Sequence, residues 1–291
     1  MQIGVVFPQT EIAADPGAIK AFAQGVEQLG YDYLMTSDHV LGADPETHPS
    51  WKGTWSNRHQ FLEPLTTLAF VAANTERIGL TTGIMLLPLR QSALVAKQAA
   101  MVDILSRGRL RLGFGLGREE TLVEYEGLGQ EFHTRGRRIE EQITVLRLLW
   151  TKQTVSFKGR WHTITEAGIN PMPVQRPIPM WLGGAADAVH ERVGRMGDGW
   201  LTTRLTPTDA ELHRGLERIR ASAKAAGRDS AAIGLDGRVR LQSSTIEACA
   251  KMVAGWREIG ATHATLNTWE AGFQGPDQHI KTLERLKAAI G

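Results

Sequence analysis

The apolar run YDYLMTSDHV ends on an acid and an imidazole side by side, Asp38 and His39. A histidine side chain exchanges protons near neutral pH, and an adjacent carboxylate can accept hydrogen bonds or fix a ligand. The same pair would also suit an exposed loop, so its meaning depends on what surrounds it. The twenty residues that follow hold Trp51, Trp55, His48 and His59. Two tryptophans in a polar loop are hard to place in a core, and an aromatic lid that excludes water is the functional reading. Farther on come three glycine-rich stretches, Gly83-Ile84, Gly115-Leu116-Gly117 and Gly183-Gly184-Ala185. Glycine lets a flat ligand or a phosphate approach the backbone, although each stretch alone could be only a tight turn. The third leads straight into a helical segment, where free N–H groups favour an anion. Arg135, Arg137, Arg138, Arg176 and Arg204 could line a path for an anionic tail. Arg137, Arg138, Glu140 and Glu141 equally suit an exposed, salt-bridged helix face.

These residues need a frame that gathers them. Short runs rich in Val, Ile, Leu and Phe alternate with longer segments of helical period. QIGVVF reads as a first strand. Its helix, residues 17–30, has Ile19, Phe22, Ala23, Val26 and Leu29 at helical spacing and Gly30 as a stop. YDYLMT, RIGLTTGIML, RLRLGFGLG, PMWLGG, DGWLTT, IGLDGRVRL and THATLNTW read as seven more strands. The segments between them include a helix opened by Pro64 and a strongly periodic one at 137–150. Eight strand–helix alternations imply parallel strands with right-handed crossovers, most simply closed into a (β/α)8 TIM barrel forming one domain over residues 1–291. A doubly wound open sheet is the alternative, but its first turn should carry a glycine fingerprint, and FPQTEIAADPG does not.

A barrel of this kind places its chemistry at the C-terminal strand ends. Asp38, His39 and the three glycine stretches all fall there. Two connections exceed a minimal loop. Residues 41–63 follow a strand and belong on that face. Residues 151–178 follow a helix, start from the opposite face and contain a hairpin around Lys158-Gly159.

Composition narrows the class. Thirty-three basic and 31 acidic residues give a net charge of +2, too balanced for a nucleic-acid footprint or a membrane-surface patch. Cys249 is the only cysteine, which excludes an intrachain disulfide and a thiolate zinc site, and it reads as a buried helical bystander. There is no HExxH, and the first strand end, VFPQT, lacks the His-x-His of metal-dependent barrel hydrolases. Neither a signal peptide nor a membrane-spanning apolar run is present, so the expectation is a soluble cytoplasmic protein acting on a small molecule.

Taken together, TSDHV, TTGIMLLPLR, VDILSRGRLRLGFGLG, RGRRIEEQITVLRLLW and PVQRPIPMWLGGAADAVHERVGRMGDGW resemble the luciferase-like monooxygenase superfamily across residues 1–270. The resemblance implies the eight-stranded barrel and flavin or deazaflavin redox chemistry. FMN monooxygenases of the superfamily more often have Glu-His-His at the end of strand two. The Asp-His found here resembles the branch that uses coenzyme F420, an 8-hydroxy-5-deazaflavin. On that resemblance, His39 donates or accepts the proton and Asp38 contacts the cofactor. Gly83, Ile84 and Leu86 match the place of a non-prolyl cis peptide behind the ring. Leu116, Gly117 and Arg118, with Gly183, Gly184, Ala185 and Ala186, match segments that hold the phosphate and polyol chain. Trp51, Trp55 and His59 fall where a lid over the ring would lie. One position departs from the pattern. Some deazaflavin dehydrogenases carry a glutamate base directly after the strand-four glycines; here Arg118 stands there, leaving Glu119 as the candidate base. The resemblance also implies a homodimer. Two other readings stay open, an FMN-dependent monooxygenase supplied by a separate flavin reductase and a non-catalytic flavin-binding protein.

Overall fold

The computed structural model describes residues 1–242 and 244–291. Each βα unit is built from local signals that agree with its neighbours. Strand β1 (Gln2–Val6) is buried from its second residue on, as parallel strands covered on both faces must be. Helix α1 (Pro16–Gln28) starts with Pro16 in the first turn and with the Asp15 carboxylate accepting the Ala18 N–H. Strand β2 (Tyr33–Thr36) leads through the long loop to α2 (Pro64–Asn74), which repeats the device with Glu63 and Pro64. Then come β3 (Gly79–Thr82), β4 (Met85–Leu86), α3 (Ser92–Leu105), β5 (Leu110–Gly115), the short α4 (Leu122–Gly127) and α5 (Arg135–Thr151). A hairpin of β6 (Val155–Lys158) and β7 (Thr163–Ala167) follows. The chain finishes with β8 (Met180–Gly183), α6 (Asp187–Met196), β9 (Gly199–Leu201), α7 (Ala210–Ala225), β10 (Gly234–Arg240), α8 (Ile246–Glu258), β11 (His263–Asn267) and α9 (Pro276–Ile290).

The main sheet is wholly parallel and closes on itself. Its order runs β3-β2-β1-β11-β10-β9-β8-β5, and β3 pairs back onto β5. This is the expected eight-stranded barrel. The helices cover it through one continuous apolar core that includes Trp150, Trp200 and Trp256, while Trp181, Tyr33, Met35 and Leu201 fill the barrel itself. A polar knot crosses the interior: Asp236 accepts from the Tyr33 and Thr265 hydroxyls at 3.0 and 2.7 Å, and the Arg111 guanidinium stacks on Trp181.

The third strand is interrupted where the site forms. Leu80 faces Leu110 on β5 and Met85 faces Phe114, so five steps along one strand match four along the other. The extra residue makes a bulge at Gly83-Ile84, and the peptide between these two is cis. Bulges re-aim side chains at barrel rims, and here the shift turns Ile84 across the mouth. Gly115 and Gly183 are glycine for that reason, since a Cβ on either would lie 1.9 and 2.7 Å from Ile84 side-chain atoms.

The hairpin expected around Lys158-Gly159 is present. It runs along the outside of the barrel, with its tip against α5 and the start of α3. It contributes no residue to the mouth cavity, so the connection 151–178 does not act as a lid there. Arg176 is likewise away from the mouth, because its neighbour Gln175 hydrogen-bonds the Leu110 carbonyl at the opposite end of β5. Of the arginines expected along an anionic path, Arg135, Arg138 and Arg176 do not line the mouth cavity. Arg138 is buried against the Pro88 carbonyl and Arg135 lies over the Phe132 ring. Glu140 on α5 pairs with Arg192 and Arg195 of α6, so that face is an interhelical seam. Cys249 is buried, as expected. No helix among the described residues is long and apolar enough to cross a membrane, and no cluster of metal ligands forms among them.

Candidate active site at the barrel mouth

The strand ends of β2, β3–β4, β5 and β11 enclose a cavity of about 220 Å3. Asp38, His39, Gly83, Ile84, Leu86, Gly117 and Arg118 all line it, as the sequence suggested. The loop after β2 contributes Trp55 and Phe61. That loop is pinned by Gln9, a fully buried residue at the end of β1, which accepts the Leu62 N–H and donates to the Ser37 carbonyl. From β11 comes Trp269, whose ring stacks on Trp55 with centroids 4.7 Å apart and planes 18° off parallel. Phe61 meets Trp55, Trp269 and the His39 ring edge-on or tilted. The result is a slot with a backbone floor at Gly83-Ile84 and an aromatic wall, suited to a flat conjugated ring.

His39 and Asp38 are adjacent in sequence and held by different partners. The His39 Nδ1 lies 2.8 Å from Oε1 of Glu124, which is 1% exposed. A carboxylate only accepts, so Nδ1 carries the hydrogen, and in the neutral ring Nε2 has the lone pair. The other oxygen of Glu124 accepts the Val40 N–H at 2.8 Å, which locks the carboxylate as well as the ring. Nε2 has no protein partner among the described residues. Asp38 receives both arms of the Arg90 guanidinium, at 2.7 and 2.8 Å, and the Leu86 N–H at 2.9 Å. Burial pushes its carboxyl above the ordinary value, and the Arg90 charge and these hydrogen bonds pull against that shift. Asp38 thus ties β2 to the segment just past the bulge while presenting one edge to the cavity.

Glu124 is the His39 partner that sequence reasoning missed. It lies on α4, six residues long and too short to show a helical period. Its one local sign is its place as the first of two glutamates in TLVEYEGLG, just beyond the glycine-rich end of β5. Glu119, the candidate base, is exposed and lines a separate cavity with Trp51 and His48. It does not meet His39. The chain takes a left-handed turn at Gly117, φ +70°, and leaves Glu119 exposed before α4 brings Glu124 back in.

The expected lid divides. Trp55 is in the cavity wall; Trp51 donates its indole N–H to the Glu120 carbonyl and closes the neighbouring cavity instead. His59 is exposed and packs on the Trp55 ring from outside. Leu116, Gly183, Gly184, Ala185 and Ala186 lie outside the cavity wall. Gly183 backs Ile84, the Gly184 carbonyl accepts the Trp200 indole N–H at 2.8 Å, and Ala185 and Ala186 are exposed at the uncapped start of α6.

A closed parallel barrel with its polar residues gathered at one mouth, around a bulged third strand, defines a class of barrel enzymes. Residues 1–288 match the luciferase-like monooxygenase family, and the chain belongs to it. Among its relatives, an uncharacterised protein of Mycobacterium tuberculosis is 32% identical over 225 residues, covering 74% of this chain and 76% of that one. The F420-dependent hydroxymycolic acid dehydrogenase of the same species is 30% identical over 259 residues, 88% of this chain and 66% of the relative. The F420-dependent glucose-6-phosphate dehydrogenase of Amycolatopsis mediterranei is 30% identical over 215 residues, 72% and 60% of the two chains. Among solved structures, an F420-dependent secondary alcohol dehydrogenase bound to an F420-acetone adduct superposes with a TM-score of 0.81 over 100% of this chain and 99% of that one, at 18% identity.

Proposed function

We propose that this protein is an oxidoreductase that uses coenzyme F420 to pass a hydride to or from a small organic substrate at the barrel mouth. The observation that carries the reading is the His39–Glu124 pair, a fixed imidazole with a free Nε2 at the edge of a slot built for a flat ring. The F420-dependent names among the relatives support the choice of deazaflavin over FMN.

The residues present fit such a group. Glycine at 83 and 117 leaves backbone open to the cavity. At Gly83 a Cβ would lie 2.1 Å from the sulfur of the buried Met35, so only glycine packs beneath the floor. Arg118, exposed at the rim, offers a cation to an anionic tail. When bound, the deazaflavin supplies the two-electron hydride chemistry. The protein's own residues do the rest. Trp55, Phe61 and Trp269 exclude water from the slot. His39 would take or give the proton of the substrate oxygen at Nε2 as the carbon bearing that oxygen loses or gains hydride. Glu124 holds the tautomer and carries the counter-charge when Nε2 is protonated. Asp38, held by Arg90, fixes the β2 end against the floor.

Titration of the purified protein with F420 and, separately, with FMN, followed by ligand fluorescence, tests the reading. Micromolar or tighter F420 binding with weak FMN binding is expected. Preference for FMN would sink it in favour of a reductase-fed monooxygenase. Binding of F420 without oxidation of its reduced form by any of a panel of ketones and enones would favour a non-catalytic carrier.

A further inference from the structure

A second cluster of reactive side chains lies behind the mouth, on the far side of Arg90. The hairpin tip is held by Glu141 of α5, whose Oε1 accepts the N–H of Trp161 and of His162 and also meets His162 Nδ1 at 2.7 Å. Its Oε2 accepts the Arg160 N–H. Burial works to raise the Glu141 carboxyl, but these hydrogen bonds outweigh it and hold it below the ordinary value, so the group stays an acceptor. Nδ1 of His162 therefore bears the hydrogen, and in the neutral ring Nε2 is the acceptor. It lies 2.8 Å from the hydroxyl of Ser92. A hydroxyl, an imidazole and a carboxylate are thus joined in series, in the order and with the tautomer that activate a serine.

Three further features turn this series toward a ligand. Ser92 is the first residue of α3, and no side chain caps that helix, so the Ala93 and Leu94 N–H groups are free of intrahelical partners beside the hydroxyl. Ser92 and His162 both line a cavity of about 340 Å3, with Arg90, Ala93, Arg138 and Gln142 among its walls. Arg138 and Gln142 are 6% and 1% exposed, yet the Nε of one and the Oε1 of the other have no hydrogen-bond partner. A hairpin clasp alone would explain the Glu141 contacts. It does not explain a serine on the imidazole, nor a buried donor and a buried acceptor left unpaired around one cavity.

We propose that Ser92, His162 and Glu141 form a second catalytic centre, which hydrolyses small carboxylic esters with a short polar acyl group. Ser92 Oγ bonds to the acyl carbon as its proton passes to His162 Nε2. The bond from that carbon to the alcohol oxygen breaks, and the alcohol leaves with this proton. Water then attacks the acyl-serine, gives a proton to Nε2 and releases the carboxylic acid as Ser92 recovers its hydrogen. No oxidant or cofactor takes part. The Ala93 and Leu94 N–H groups face the oxyanion, while Arg138 and Gln142 bind the acyl end. The proposal stands whether or not the mouth binds F420.

The test uses the full-length protein with p-nitrophenyl acetate and with a fluorophosphonate probe. Hydrolysis should fall roughly a thousandfold in Ser92→Ala and in His162→Gln, with circular dichroism and thermal melts reporting that each variant retains its fold. In the wild-type protein, peptide mass spectrometry should place the phosphonate on Ser92, a readout that needs no variant to fold. Equal hydrolysis by wild type and Ser92→Ala, or a phosphonate absent from Ser92, would overturn the proposal and leave the network as a clasp for the hairpin.

Discussion

Two histidine–glutamate pairs in this molecule are nearly the same object in different settings. His39 Nδ1 meets Glu124 at 2.8 Å, and His162 Nδ1 meets Glu141 at 2.7 Å. Each glutamate also accepts backbone N–H groups, one from Val40 and three from the hairpin tip. The pairs differ in what the second ring nitrogen sees. At the mouth, Nε2 looks into an aromatic slot with a bare backbone floor; behind it, Nε2 is capped by a serine. The paired carboxylate fixes a tautomer, and the surroundings of the other nitrogen decide whether the ring handles a substrate's proton or a serine's. Arg90 stands between the regions, bound to Asp38 on one side and lining the second cavity on the other.

The comparison breaks or sharpens under four measurements. The largest effect is expected from His39→Ala, which should cut hydride transfer with a competent ketone by about 10²- to 10⁴-fold while leaving F420 affinity nearly unchanged. Full activity in that variant would remove the mouth pair from the chemistry. Next is Arg90→Ala. It strands Asp38, 4% exposed, without its charge partner, and should cost about 3–5 kcal/mol in urea unfolding. A loss under 1 kcal/mol would mean that the arginine does not brace the mouth.

A third histidine shows what burial does without a carboxylate bonded to the ring, since His279 Nδ1 meets the Thr268 hydroxyl at 2.9 Å. His279 is fully buried, and its Nε2 lies 3.3 Å from Glu11 without hydrogen-bond alignment. Burial lowers its pKa from 6.5 to about 4. The unfolded chain then binds the extra proton between those values, so stability is full above about pH 6.5 and falls as the pH drops toward 4. The loss is on the order of 3 kcal/mol at about 1.4 kcal/mol per unit. Burial raises the Glu11 carboxyl above its ordinary value, which acts in the opposite sense within the same window. Thermal melts of wild type and His279→Gln across this window check the sign, since the variant should show the shallower slope. The smallest effect is expected from Glu124→Gln, which keeps the shape of the acid and removes its charge. Turnover should drop roughly ten- to a hundredfold, the usual cost of removing the partner that orients a working imidazole. A drop as large as that of His39→Ala would make Glu124 more than a positioning residue.

Much of this was legible in the chain alone. Eight strand–helix alternations, proline and acidic caps at α1 and α2, and glycines at the ends of β5 and β8 are local signals, set by hydrophobic period and backbone freedom, and they give the barrel and its working face. Asp38 and His39 were legible because they end a strand, and strand ends converge in any such barrel. What the two residues bond to was not. Arg90 is 52 residues from Asp38 and Glu124 is 85 from His39. No local pattern links positions so distant. Glu119 was the nearer acid by sequence, yet it is exposed beyond the left-handed turn at Gly117, and the short α4 substitutes Glu124. Likewise, nothing in SALVAKQ, RRIEEQ or GRWHTI marks Ser92, Glu141 and His162 as one cluster. Periodicity determines which face of each element is buried. Only the closure of the sheet, with its bulge at Gly83-Ile84 and the hairpin folded back along α5, determines which polar side chains meet once there, because that depends on register between elements and not on the sequence of any one of them.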